Sequence, residues 1–487
     1  MKLSDLTDQT VEAFRNAGAF VTDIATPTVR LGVTGFARAG KTVFITALVR
    51  NLTEGGRLPF FGAMAEGRIA RAYLEPQPDD DIPRFAYEDH LARLAADPPE
   101  WPESTRSISQ LRVTVEYRSR SALHRFIGHG RLHIDIVDYP GEWLIDLALL
   151  DTTFADWSRT AIAHARRSQL RTAAEPFLTF LSSLDPGAPQ DERTAIDGAR
   201  LFTDYLRAAR AMASGIALLG PGRFLMPGDL EGSPLLTFFP FPPGAAPFRR
   251  DSLGALLERR FESYRSHVVM PFFRNHFSRL DRQIVLVDAL SAIDLGPEAI
   301  SDLEAALTGV LRCFRPGANT WLSRILARRI DRLLIAATKA DHLHHKSHDR
   351  LEAIVGRITE QAIARATFAG ASVRTVALAA LRATQEAQAT SNGERLDCIL
   401  GTPMPGERIG DTVFDGSTKA AIFPGDLPAD PALVLSGQET VDPRAAAMRV
   451  LKFRPPPQPG LLSGPAQPMP HIRLDRAMDF LFGDRLA

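Results

Sequence analysis

Residues 28–52 read TVRLGVTGFARAGKTVFITALVRNL, and this stretch decides the fold. TVRLGVTG is an apolar, β-branched run ending in Gly35, the pattern of a buried strand that enters a glycine turn. KTVFITALVRNL has helical composition. A strand, a Gly-rich turn and a helix in succession form the signature of a nucleotide-binding α/β unit. The turn, GFARAGKT from Gly35 to Thr42, matches G-x-x-x-x-G-K-[ST] at every position. Gly35 and Gly40 let the backbone wrap closely, so N–H groups along Arg38, Ala39, Gly40 and on to Val43 face phosphate oxygens. The following helix aims its N-terminus at the same anion. Lys41 is placed to reach the β- and γ-phosphates, and Thr42 supplies a hydroxyl to Mg²⁺.

Working outward, 487 residues suggest two or three domains, or one domain with large insertions. Lys+Arg and Asp+Glu are both 57, so the chain carries no excess of basic residues and is not expected to bind nucleic acid. An apolar content of 45% argues against global disorder. Two cysteines, Cys313 and Cys398, are too few for a disulfide framework and point to a reducing compartment. The first 20 residues lack the apolar core of a signal peptide, and no run reaches bilayer-spanning length. The expectation is a cytoplasmic, soluble protein, with peripheral attachment at the inner membrane through a partner left open.

Residues 4–20 have near-helical spacing of Leu6, Val11 and Phe14. Residues 55–109 read as irregular. QLRVTVEYRS alternates as a sheet-edge strand would, and GRLHIDIVDYPG is a strand ending in Asp138 and a second glycine turn. Residues 150–280 read as helices around a Pro/Phe loop, FFPFPPGAAPF, which is either a packed connector or an exposed docking surface. Strands return at RQIVLVDAL, DRLLIAATKAD and SVRTVALAAL. Beyond about residue 395 the chain reads as loops, short strands, an extended Pro-rich linker and a final amphipathic helix, RLDRAMDFLFGDRL. The expected fold is α/β, a mostly parallel sheet covered on both faces. The expected division is 1–149 and 281–394 as two parts of a nucleotide-binding domain, 150–280 as an inserted helical subdomain, and 395–487 as a C-terminal extension.

Two further motifs carry chemistry. DYPG places Asp138 at the carboxyl edge of the sheet, where a carboxylate serves Mg²⁺ directly or through water. Gly141 offers a backbone N–H that senses a γ-phosphate. TKAD, Thr338 to Asp341, also ends an apolar strand. Guanine presents two adjacent donors, N1–H and the exocyclic amine, and one carboxylate accepts both; adenine presents an acceptor there instead. Asp341 therefore selects guanine, while the Lys339 stem covers the base plane.

In this order the motifs resemble those of the Ras-like, translation-factor-type GTPases. More closely, the chain resembles the YcjX family of bacterial stress-associated P-loop proteins, through RAYLEPQPDDDIPRFAYEDHLARL, WPESTRSISQLRV, DYPGEWLIDL, PFFRNHFSRLDRQIVLVDAL and TKADHLHH. The resemblance spans nearly the whole chain. It implies a GTP/GDP-binding protein with a helical subdomain inserted in its nucleotide domain. It also implies a link to envelope stress and to a companion inner-membrane protein. By superfamily analogy, Ala379 to Leu381 form the last base-contacting loop, in which the Ala380 N–H and Leu381 stand beside guanine. Thr105 would complete the Mg²⁺ shell from the first switch segment, with Ser104, Ser107 and Ser109 as competitors, and Arg106 beside it would serve as an arginine finger in cis. Glu142 stands where such enzymes carry the glutamine that orients water, and this departure points to slow hydrolysis, aided by a partner or by self-association. The alternatives are an ATPase of the same fold and a nucleotide-dependent scaffold with little turnover. His344 and His348, four apart, form a candidate metal pair, but no cysteine or matching carboxylate set completes a site. Cys313 reads as a helix core residue.

Overall fold

Strand β1 (Thr28–Gly35) lies inside a seven-stranded sheet. On one side stand β2 (Ile69–Glu75), β3 (Ser109–Tyr117) and β4 (Gly130–Asp138). On the other stand β5 (Arg282–Val287), β6 (Arg332–Ala337) and β7 (Ser372–Ala377). The order is β2-β3-β4-β1-β5-β6-β7. β1 pairs parallel with β4 and β5, and β6 and β7 continue the parallel set; β3 runs antiparallel to both its neighbours. The fold is thus mixed α/β with a mostly parallel sheet. After β1 the chain fills one side of the sheet from its edge inward, β2 to β4, and then builds outward on the other through β5, β6 and β7, which makes the carboxyl end of β1 a switch point of the kind where open α/β sheets bind ligands.

The structure, a computed structural model, describes residues 26–36, 38–103, 107–120, 130–167, 170–185, 187–212, 220–242, 244, 247–312, 330–368, 370–391, 393–436, 450–458 and 468–487. The expected helix at 4–20 and Cys313 lie outside them.

Both sheet faces are buried, and the period of two along each strand sorts the side chains. β5 sends Ile284 and Leu286 to one core and Val285 and Val287 to the other; β6 does the same with Leu334 and Ala336 against Leu333 and Ile335. The first core is closed by the phosphate-loop helix Lys41–Thr53, through Phe44, Ile45 and Leu48, and by the final helix Leu474–Phe482, through Met478 and Leu481. The second is closed by the helices between β4 and β5, among them Phe154–Ala165, Arg171–Ser182, Glu192–Met212 and Leu253–Tyr264. There Trp157 stacks on Phe261 with centroids 5.1 Å apart. The Pro/Phe loop is a packed connector: Phe238, Phe239 and Phe241 are buried in the same cluster, and each such ring contributes about 2–3 kcal/mol by leaving water.

Two sequence expectations need correction. QLRVTVEYRS is not at the edge. Ile69–Glu75, inside the stretch read as irregular, forms β2 and covers it. β2 is an edge strand in which Ala70 and Arg71 are exposed and the rest are half-buried, so its sequence carries little apolar alternation. The described part of the Pro-rich segment is also more than a linker. Phe453 is buried and bridges to Pro403. The end of the chain is tied into the core: Asp475 and Asp479 accept the backbone N–H groups of Phe60 and Gly62, both at 3.0 Å. Fully buried Arg282 of β5 donates to Asp484 at 2.8 Å. Beyond the main sheet, β8 (Gln385–Ser391) and β9 (Glu394–Gly401) form an antiparallel hairpin, with Ala420–Ile422 added to β9.

Candidate nucleotide-binding site

The loop after β1 has the backbone that its glycines permit. Gly40 has φ 85° immediately before the helix, and Arg38 has φ 66°. A Cβ on Gly35 would stand 2.7 Å from the Leu286 carbonyl oxygen, so β5 packs too closely for any side chain there. Lys41 is buried and donates from Nζ to the Gly35 carbonyl at 3.0 Å, across the loop. The Thr42 hydroxyl donates to the Glu103 carbonyl at 3.1 Å, which brings the segment before β3 to the loop. Thr105 and Arg106, two and three residues further on, lie outside the described residues.

Asp138 is buried at the end of β4, whose register places it beside Val33 of β1. The Thr42 hydroxyl and the Asp138 carboxylate are the oxygen donors that a hard divalent cation takes. Gly141 sits directly on the loop: a Cβ there would come 2.6 Å from the Gly35 oxygen. It also opens the short helix Glu142–Leu147, and this helix is gripped by the helical block. Buried Glu142 pairs with Arg210 of Glu192–Met212. Trp143 Nε1 donates to the Met226 carbonyl at 3.2 Å, and the Arg223 guanidinium lies 3.3 Å over its ring. Asp146 accepts from the Gly222 N–H and the Tyr264 hydroxyl, both at 2.6 Å.

Burial raises the Asp146 carboxyl to about 6, against the opposing pull of those two donors and of Arg223. The native state therefore holds this proton more tightly than the unfolded chain. Its contribution is most favourable below about pH 4 and is lost as pH rises through about 6, a change of about 3 kcal/mol. Asp146→Asn keeps an acceptor for Gly222 and removes the charge. The melting temperature of the variant, relative to wild type, should therefore rise between pH 4 and pH 7. An offset equal at both pH values would contradict this reading.

At the end of β6, Thr338 continues the sheet by donating its N–H to the Val287 carbonyl at 2.8 Å. Lys339 has φ 60° and pairs with Asp288. Buried Asp341 accepts the Ala383 N–H on Oδ2 at 2.7 Å, and its backbone carbonyl accepts from the Thr384 hydroxyl. After β7, Leu378 donates to the Ala337 carbonyl at 2.7 Å, and Ala379 exchanges two backbone hydrogen bonds with Ile472.

One cavity of about 290 Å³ joins these parts. Arg38, Ala39, Gly40, Lys41, Thr42 and Val43 line one end; Thr338, Lys339, Asp341, Ala380 and Leu381 line the other. Its volume is near that of a small-molecule pocket.

A model of the YcjX-like family, DUF463, matches residues 29–486. The chain belongs to the YcjX-like family. A relative from Escherichia coli, named Ras-like GTPase YcjX, is 37% identical over 471 residues, covering 94% of this chain and 96% of the relative. Another of the same name, from Shewanella oneidensis, is 33% identical over 487 residues, covering 94% of each.

In this YcjX-like chain the cavity thus gathers the phosphate loop, TKAD and the Ala380 segment, which are some 300 residues apart in sequence. Gly35, Asp138 and Gly141 stand at the loop's base and not on the cavity wall. Glu142 turns to Arg210. The wall has further residues that the sequence reading passed over: Trp101 and Pro102 from the first switch segment, and Met404, Lys452 and Phe453 from the C-terminal part. Trp101 Nε1 donates to the Phe453 carbonyl at 2.7 Å, joining the two contributions across the cavity. A tryptophan in a polar stretch and a Lys-Phe pair before a proline run were the only sequence signals. The histidines part company: His348 starts a helix and its Nε2 faces the Leu343 carbonyl at 3.3 Å, away from His344.

Proposed function

We propose that this protein is a guanine-nucleotide switch that binds GTP and GDP in the cavity and hydrolyses GTP slowly with Mg²⁺. The name Ras-like GTPase carried by its relatives supports the reading. The observation that carries it is Gly141. It touches the Gly35 backbone at one end and opens a helix held by the helical block at the other. A γ-phosphate that engages the Gly141 N–H shifts that helix, and Glu142–Arg210, Trp143–Met226 and Asp146–Tyr264 pass the shift to the block.

In this reading Gly35 to Val43 cradle the phosphates, and Lys41 neutralises their charge. Thr42, Asp138 and Thr105 hold Mg²⁺, which offsets charge on the transferring phosphoryl group. Asp341, Lys339, Thr338, Ala380 and Leu381 recognise guanine. Arg106 serves as the arginine finger and Glu142 as the water-orienting group once Arg210 releases it. Residues 150–280 act as the inserted helical subdomain between the two parts of the nucleotide domain, 1–149 and 281–394, and 395–487 as an extension that helps wall the site. The stress-related role, the companion inner-membrane protein, nucleotide-dependent self-association and a cytoplasmic location belong to the same proposal. Among the described residues no helix is long and apolar enough to cross a membrane.

The Glu142–Arg210 pair also favours a second reading, a scaffold that binds GTP and scarcely turns it over, because Glu142 is engaged by an arginine. Single-turnover hydrolysis by the purified protein separates the two. A slow, Mg²⁺-dependent release of phosphate supports the switch, and none above the uncatalysed rate supports the scaffold.

A further inference from the structure

Outside the nucleotide cavity, the loop after TKAD meets the β8–β9 hairpin in a cluster of imidazoles and carboxylates. His345 Nδ1 lies 2.9 Å from Glu386 Oε2, and His344 Nε2 lies 4.0 Å from the same oxygen and 3.9 Å from Asp397 Oδ1. The ligand atoms of His344, His345 and Glu386 all fall within 4.8 Å of one another. In a tetrahedral zinc site with bonds of about 2.0–2.1 Å, neighbouring ligand atoms stand about 3.3 Å apart, a spacing between the two observed Glu386 separations.

A plain His–Glu ion pair accounts for His345 but not for His344. That ring is only 8% exposed, and its Nδ1 is buried without a hydrogen-bond partner among the described residues. Its Nε2 points at two carboxylates from beyond hydrogen-bond reach. A cation between this ring and the carboxylates would give Nε2 the partner that neither carboxylate reaches. The flanking charges leave the facing oxygens available: Arg382 lies 3.7 Å from the other Glu386 oxygen, and Lys346 binds the other Asp397 oxygen at 2.6 Å. Gln388 donates to Asp397 Oδ1 at 3.3 Å, so Asp397 stands outside the ligand set and Glu386 Oε2 is the oxygen that faces both rings.

We propose that His344, His345 and Glu386 form a binding site for one divalent transition-metal ion of the zinc class, distinct from the Mg²⁺ position at the phosphates. Two imidazoles and a carboxylate with an open position make up a borderline-soft donor set of this kind. The sequence concealed it because the carboxylate comes from a hairpin some 40 residues downstream, while the helical pairing of His344 with His348 suggested a different partner. The site clamps β8 to the loop that carries Asp341. Ala383 and Thr384, which lead into β8, already bond to Asp341.

The test is zinc titration of the untagged, full-length, nucleotide-free protein against a chromophoric chelator, with excess Mg²⁺ to fill oxygen-only sites. The expected result is one zinc per chain, with His345→Ala and Glu386→Gln each binding at least about 10-fold more weakly. Both side chains are at or near the surface, so unchanged melting temperatures without zinc show that the variants are folded. Failure of wild type to bind stoichiometric zinc, or wild-type affinity in either variant, overturns the proposal.

Discussion

Lys41→Met should reduce GTP affinity by about 100-fold or more. Lys41 is a buried cation whose Nζ has one acceptor among the described residues, the Gly35 carbonyl at 3.0 Å. A nucleotide gives it phosphate oxygens instead. Hydrogen bonds to charged groups are each worth about 1.5–3 kcal/mol, and two of them lost correspond to about 10²- to 10⁴-fold in affinity. Methionine fills nearly the same volume with apolar atoms, so Phe44 and the rest of the helix keep their packing. Titration with labelled GTP reads the loss, and an unchanged melting temperature confirms that the loop survives. GTP affinity within a few-fold of wild type would mean that the phosphates are held elsewhere.

Asp341→Asn should exchange one base for another. In the proposed function the carboxylate accepts both N1–H and the amine of guanine. An asparagine can keep its oxygen toward the Ala383 N–H, now 2.7 Å from Asp341 Oδ2. Its amide N–H₂ then faces the base, where guanine offers only donors and xanthine offers a carbonyl. GTP should weaken by about 10²- to 10³-fold, since a buried donor is left facing a donor. XTP should gain in competition with labelled GTP. Unchanged GTP affinity in the variant would refute the base-reading role of Asp341.

Much of this site is legible in the sequence because its parts are local. The phosphate loop needs only its own glycines, Lys41 and Thr42; TKAD and DYPG are each a strand end with a carboxylate. The other six strands of the main sheet, β1 and β3 to β7, announce themselves by apolar runs. What escapes is tertiary. Arg210 faces Glu142 across 68 residues, and neither residue's neighbours mark the pairing. Phe453 and Lys452 reach the cavity because their segment is bonded along its backbone to Thr402 and Met404, some 50 residues earlier. β2 escapes because an edge strand buries one face weakly, and Glu386 because a hairpin carries it to the histidines.

The coupling of phosphate loop to helical block has a steric side as well. A Cβ on Gly222 would stand 2.0 Å from the Glu142 carbonyl oxygen. The contact between the switch helix and the block is thus backbone against backbone, closer than any side chain permits. In the proposed switch this contact, one residue after Gly141, would carry a displacement of Gly141 to the block.

The central claim is that the cavity selects guanine nucleotides through Asp341 and holds their phosphates at Gly35 to Thr42. Titration of the purified protein with labelled GTP, GDP and ATP, each with and without Mg²⁺, tests it most directly. The account predicts that GTP and GDP bind far more tightly than ATP and that Mg²⁺ strengthens GTP binding. Comparable affinity for ATP and GTP would contradict it.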